Sequence, residues 1–238
     1  MTILINNLPF ILQGLTMTLG LAAVTLVFAT IIAFVVGTLG ATRIGWLRAV
    51  TRTYVEICRD IPLIVNIFFV FFGAPLLGIE LSPFAAVTVG LSLWGGANGA
   101  EIVRGGLEAV PRHQSESAKA LGLKGWEIFI YIIGPQALRS ILPPFIGLLT
   151  LVIQSTSLGA LVGVTEFFRV GQIIIERTTL MEGWNPAFTV YGAVLLIYFV
   201  ICSSLTWFGR RLERRMRRES KGGGVLNATL VEAAPTLP

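Results

Sequence analysis

Long uncharged apolar runs fill this sequence, and the few polar side chains inside them are the ones whose chemistry needs a reason. Asn66 is the only strongly polar residue between Pro62 and Pro75. A later run holds Ser92, Trp94 and Asn98, with Glu101 about a turn further on, and another holds Gln154, Ser155, Thr156 and Ser157 in succession. A polar group in an apolar surround costs free energy unless it lines a wet path or finds a partner. Amides and hydroxyls supply both donors and acceptors, which suits reversible binding of a small polar solute. Bond-making chemistry has no comparable support: the single His113 stands without a partner motif, and Cys58 and Cys202 lie far apart with no CxxC spacing. A GxxxxGK[ST] phosphate loop is also missing, so the chain is not expected to bind ATP itself in the usual way.

A competing role exists for each polar residue. Ser and Thr often bond back to helix carbonyls, and Gly95-x-x-x-Gly99 and Gly159-x-x-x-Gly163 are small-residue patterns suited to close helix contact. Glu101 can pair with Arg104 one turn later.

The elements that must position these groups follow from composition. With 54% apolar and 13% charged residues, the chain departs from ordinary soluble domains in the direction of an integral membrane protein. A helix needs about 20 residues to cross the hydrocarbon layer. Five runs qualify: Leu15–Ala41, Ile61–Ile79, Leu81–Ala100, Ser140–Thr165 and Gly183–Gly209. Sixteen of the 18 Lys and Arg fall in the first and third connections and the tail, leaving Arg169 and Arg177 for the other side. The positive-inside rule then places the N-terminus outside and the C-terminus in the cytoplasm. The basic balance thus reports topology and lipid contact, with no nucleic-acid partner. The N-terminal segment lacks a basic n-region and cleavage site, so it is expected to be retained. Residues 216–238 show little periodicity and read as a disordered cytoplasmic tail.

One segment breaks the apolar pattern deliberately. From Pro111 to Pro135, a short polar helix is expected to end or bend at Gly122 and a second to resume through Lys124–Ile133, before Pro135. Ala118, Leu121, Gly122, Gly125, Trp126, Phe129, Ile132 and Ile133 recur at helical spacing, so one face is meant for burial. Glu116, Lys119 and Glu127 mark the opposite face, with Glu116 and Lys119 close enough to pair.

Glu116-Ser117-Ala118, then Gly122, Ile132 and Pro135, resemble the EAA motif of the membrane subunits of bacterial ABC importers. Ser117 stands where alanine is usual, and Gly134 where leucine commonly precedes the proline. The flanks "YVEICRDIPLIVNIFFVFFGAP", "GGANGAEIVRGGLEAVP" and "SLGALVGVTEFFRVGQIIIERT" are similar to the permeases for polar amino acids, the histidine/glutamine/opine group, and the likeness runs over roughly residues 10–215. The resemblance implies an all-α, five-span transmembrane domain of the type I ABC importer fold in the bacterial inner membrane. It implies a second permease subunit, two cytoplasmic ATPase subunits that hold ATP and Mg, and an extracytoplasmic solute-binding protein delivering a polar amino acid or derivative. Glu116, Ser117, Ala118, Leu121, Gly122 and Lys124 are carried over as ATPase-coupling residues. The polar residues of the spans become a candidate path for an amino-acid zwitterion; related permeases often have lysine at the position of Gln154, followed by Asn or Asp, and this chain is neutral there.

Two further stretches carry expectations. Glu56, Arg59 and Asp60 precede Pro62 at the cytoplasmic entrance to the second span, where acidic groups suit helix capping, with gating as the alternative. Glu166–Glu182 is too charged to span and reads as an external surface helix, facing either the binding protein or the lipid interface. The rival readings are an ion-coupled secondary transporter, which would usually show repeated halves and intramembrane ionisable groups, and a membrane-embedded enzyme.

Overall fold

A computed structural model describes residues 2–232, with side chains through residue 214. The chain forms α1 (Thr2–Asn6), α2 (Leu8–Gly40), α3 (Gly45–Asp60) and α4 (Leu63–Gly73), the last running into a 3-10 turn, Ala74–Leu77. Next come α5 (Pro83–Glu108), α6 (Arg112–Ala120), α7 (Gly125–Ile128), a π turn at Phe129–Ile133, α8 (Gly134–Ser155) and a 3-10 segment, Thr156–Val162. Two helices, α9 (Phe167–Glu182) and α10 (Ala187–Glu232), complete the chain, and no strand occurs among the described residues.

Three helical runs are long and apolar enough to cross a bilayer: Leu8–Gly40, Gly125–Val162 and Ala187–Arg214. A fourth candidate is broken, because Gly45–Asp60 meets Leu63–Leu77 at a bend of 101°. Pro62 sits at that bend with extended backbone at ψ 134°, and its ring forbids the helix from simply continuing. The second expected span is therefore shorter than Ile61–Ile79 suggests, with α3 set across it.

At the centre lies α5. Its 26 residues would extend about 39 Å, yet it is rich in Gly, Ala, Ser and Thr rather than Leu and Ile. Packing explains the composition: α5 is surrounded by α2, α3, α4 and α8, so it faces helices where a lipid-facing span faces acyl chains. A Cβ on Gly99 would lie 2.6 Å from the Ala33 Cβ of α2, and one on Gly37 of α2 would lie 2.6 Å from the Ala100 carbonyl oxygen of α5. These glycines let the two backbones touch. Around that seam, Ala33, Val103, Ala137, Ile141, Phe145, Leu148 and Val152 form one buried cluster, and Leu21, Ile67, Val87, Leu91, Val162 and Val164 form another. Ser82 caps the start of α5 by accepting from the Ala85 amide at 3.2 Å, with Pro83 in its first turn.

Several boundaries differ from the sequence reading. The first long helix starts at Leu8, ahead of Leu15, because nothing from Pro9 to Leu15 breaks it. Pro135 does not end the segment before it: the π turn at Phe129–Ile133 absorbs the missing amide, and the helix runs on into α8. Gly95 and Gly99 do face α2 and α8; in the second pattern Gly159 is buried against Val87 and Val164, whereas Gly163, with φ +94°, closes the 3-10 segment and packs on nothing. The backbone of α10 is helical from Ala187 to Glu232, past the expected end of the last span at Gly209; Arg210–Lys221 is largely made of good helix formers. Residues 233–238 of the expected tail lie outside the described part.

Candidate functional site

The polar segment folds as a helix, a tight turn and a second helix. Leu121 ends α6, and Gly122 follows with φ +84°, a left-handed conformation that glycine adopts without a Cβ penalty. The Gly122 amide donates to the Lys119 carbonyl at 2.9 Å and the Leu123 amide to the Ala118 carbonyl at 3.2 Å. This pair of bonds is the Schellman arrangement, which satisfies the last carbonyls of α6. The chain then restarts at Lys124, whose backbone amide donates to the Glu127 carboxylate at 2.6 Å. One side-chain strap holds the segment to the bundle: Gln136 of α8 donates to Gln114 of α6 at 3.2 Å.

Of the residues expected to couple, Ala118 alone is buried. Glu116, Ser117, Leu121, Gly122 and Lys124 are exposed, and Leu121 keeps 80% of its surface in solvent. The apolar stripe expected to be covered is only partly covered within this chain: Ala118 is buried and Ile132 and Ile133 are half-buried, while Leu121, Trp126 and Phe129 are exposed. Nor do Glu116 and Lys119 pair; among the described residues the ion pairs are Arg52–Glu56, Arg104–Glu101, Arg104–Glu108 and Arg169–Glu176. Both side chains extend into solvent, where an i,i+3 pair gains little.

The polar residues of the spans do not converge on one cavity. Asn66 donates to the carbonyls of Cys58 at 3.1 Å and Ile61 at 3.4 Å, bracing the α3–α4 bend. Asn98 bonds back to the Trp94 carbonyl at 2.9 Å, and Ser155, Thr156 and Ser157 bond back to Leu151, Ile153 and Gln154. These bonds coincide with the change from α8 to the 3-10 segment, where hydroxyls take up carbonyls that the helix leaves. Trp94, Asn98 and Glu101 share one face of α5 by their spacing, with Trp94 packed on the cluster around Phe145. Gln154 lies on the exposed side of α8.

Glu101 alone among them opens onto the large cleft. This space, about 1010 Å³, is bounded by the end of α2, the polar face of α3, the end of α5 and the start of α6. Arg43, Arg48, Arg52, Arg59, Arg104 and Arg112 line it against Glu56, Glu101 and Glu108, so the basic residues of the first and third connections meet at one end of the bundle. Arg104 anchors both Glu101 and Glu108.

Residues 29–218 match the protein family described as binding-protein-dependent transport system inner membrane component. The chain belongs to that family. This permease is 34% identical over 213 residues to the glutamine transport system permease protein GlnP of Escherichia coli (strain K12), covering 88% of this chain and 94% of that one. It is 32% identical to the probable amino-acid ABC transporter permease protein YckA of Bacillus subtilis (strain 168), over 89% and 91% of the two chains. In structure it resembles a chain of a crystallised amino acid ABC transporter with histidines, at a TM-score of 0.79 and 25% identity over 89% of this permease and 96% of that chain. An inward-facing methionine transporter, MetNI, shares the fold at a TM-score of 0.73. Family membership places the chain among membrane components of binding-protein-dependent transport systems, which favours the transport reading.

The sequence reading of the permease passed over one well-built residue. Glu166 is fully buried at the start of α9, where its carboxylate accepts from the amides of Phe168 at 2.9 Å and Arg169 at 2.8 Å. Thr18 of α2 and Tyr198 of α10 donate to the same group at 3.3 and 3.2 Å. It thus caps one helix and ties it to two others. The usable signal was an acid directly before an amphipathic run, the signature of an N-cap. Its distant partners have no local trace in the sequence.

Proposed function

We propose that this chain is the permease subunit of an ATP-driven importer for a polar amino acid or amino-acid derivative in the bacterial inner membrane. The observation that carries the reading is the α6–Gly122–α7 knob: anchored by Ala118 and the Gln114–Gln136 bond, it leaves Glu116, Ser117, Leu121, Gly122 and Lys124 uncovered. Relatives named as amino-acid permeases across nearly the whole chain support the solute class.

In this reading α2, α4, α5, the α7–α8 run and α10 are the five spans, with the N-terminus outside and the knob in the cytoplasm. Two permeases pair, and a cytoplasmic ATPase binds ATP and Mg on each. The exposed apolar stripe of the knob is the part an ATPase groove covers. Closure of the ATPases on ATP moves the knob, and α5 and α8, joined to its two ends, carry that motion to the spans. Hydrolysis resets them, so access alternates between the binding protein outside and the cytoplasm. The chain itself makes and breaks no bond. Asn66, Trp94, Asn98, Glu101, Gln154, Ser155, Thr156 and Ser157 remain the proposed solute path, with Gln154 on a face open to the second permease and Glu101 at the exit cleft.

The test is coexpression with a candidate ATPase subunit, copurification, and uptake of labelled polar amino acids into proteoliposomes with the cognate binding protein. ATP-dependent uptake with a copurified ATPase supports the reading. Uptake that follows an ion gradient with no ATPase bound overturns it.

A further inference from the structure

The first connection holds a helix whose polar face lines the cleft and whose opposite face the transport reading does not use. On α3, Trp46, Val50 and Ile57 lie on one face by their spacing of four and eleven residues, and Arg48, Arg52 and Arg59 repeat that spacing on the opposite face. Thr51 and Val55 alone are buried. The apolar face is uncovered: Trp46, Val50 and Ile57 are 68%, 61% and 54% exposed.

Three observations say what covers it. The bend of 101° lays α3 across α4, whose Phe69 and Phe72 are 77% and 63% exposed as lipid-facing residues would be. With α4 running along the membrane normal, a helix turned so lies close to the membrane plane. Trp46 stands at the start of that helix, and tryptophan favours the headgroup boundary. The polar face is cationic: Arg52 is offset by Glu56, whereas Arg48 and Arg59 have no ion-pair partner among the described residues, nor does Arg43 just ahead of the helix. Tyr54 fixes the helix in this setting by donating to the Leu93 carbonyl of α5 at 2.8 Å.

We infer that α3 is an in-plane interfacial helix, its Trp46–Val50–Ile57 face set among acyl chains and its arginines at headgroup level, recruiting anionic phospholipid to the entrance of the α4 span. Amphipathic helices with a basic polar face bind anionic bilayers through buried apolar area plus charge. The inference requires that α4 and its 3-10 turn run along the membrane normal and is independent of which solute is carried.

Spin labels report it directly. In a background with Cys58→Ser and Cys202→Ala, single cysteines replace Val50, Ile57 or Arg48 in the full chain coexpressed with its ATPase and reconstituted in nanodiscs of phosphatidylcholine with phosphatidylglycerol. Labels at 50 and 57 are expected to collide several-fold more with oxygen than with a water-soluble nickel chelate, with the reverse at 48. Nickel access at 50 and 57 would overturn the inference in favour of a solvated helix. Protection of both positions from oxygen and nickel alike would overturn it in favour of a protein partner, either the ATPase or a second copy. A second readout is the lipid retained on purification: Arg43→Gln with Arg59→Gln is expected to lower the ratio of phosphatidylglycerol to phosphatidylcholine several-fold, and an unchanged ratio removes the anionic preference.

Discussion

Tyr198 near the middle of the apolar part of α10 donates a hydrogen bond to the Glu166 carboxylate at 3.2 Å, closing the last long helix onto the start of α9. Four donors from three helices converge on this one buried carboxylate. Glu166→Ala leaves them without an acceptor, and the expected loss is on the order of 2–3 kcal/mol. Tyr198→Phe removes one donor and is expected to cost about 1 kcal/mol. Melting temperatures in detergent, with Glu166→Ala lowest and Tyr198→Phe between it and wild type, check the ordering.

The seam between α2 and α5 depends on bare backbone. Gly99→Val places its Cβ inside the contact with Ala33, and overpacking of this kind costs about 1–3 kcal/mol. Lower melting and a larger aggregated fraction by size-exclusion chromatography are expected. Gly105→Ala on the same helix, where an added Cβ meets open space, is the control and is expected to behave as wild type.

The cleft makes a prediction in salt. Arg104 bridges Glu101 and Glu108, all three partly exposed, so Glu101→Gln is expected to lower stability by no more than about 1 kcal/mol. Melting temperatures of wild type and variant check this, and high salt is expected to shrink the difference. A difference that does not change with salt would remove the ion pair as its cause.

How much of this was legible in the sequence depends on the range of the forces involved. Gly122 was readable as a turn because left-handed backbone is a local demand, and the structure has it there. The pairing of Glu101 with Arg104 was readable for the same reason, being one helical turn apart. Pro135 misled, because whether a proline stops a helix or is absorbed by a π turn depends on the helices packed around it. Asn66 looked like a lone polar group in a span; that its amide braces the α3–α4 bend could be seen only once the bend was known. The face of α6 and α7 was legible as apolar but not as uncovered, since a sequence pattern does not say whether the covering surface belongs to the same chain. Glu166 was hidden most completely, as Thr18 lies 148 residues away.

The knob itself offers a separable prediction. Ala118→Leu forces volume into the one coupling residue that packs on the bundle and is expected to destabilise the chain by about 1–3 kcal/mol. Leu121→Asp, at a side chain 80% exposed, is expected to leave melting of the isolated permease unchanged while lowering the amount of ATPase that copurifies.

The most direct test of the account is binding-protein-stimulated ATP hydrolysis in lipid nanodiscs, comparing wild type with Gly122→Asp and Leu121→Asp. Gly122→Asp adds a side chain at φ +84°, a strain of roughly 1–2 kcal/mol confined to the turn. The account predicts that both variants fold and insert, and that stimulation by the loaded binding protein falls by tenfold or more, roughly the effect of 1.4 kcal/mol on coupling. Full stimulation in both variants, with the ATPase bound as in wild type, would contradict it.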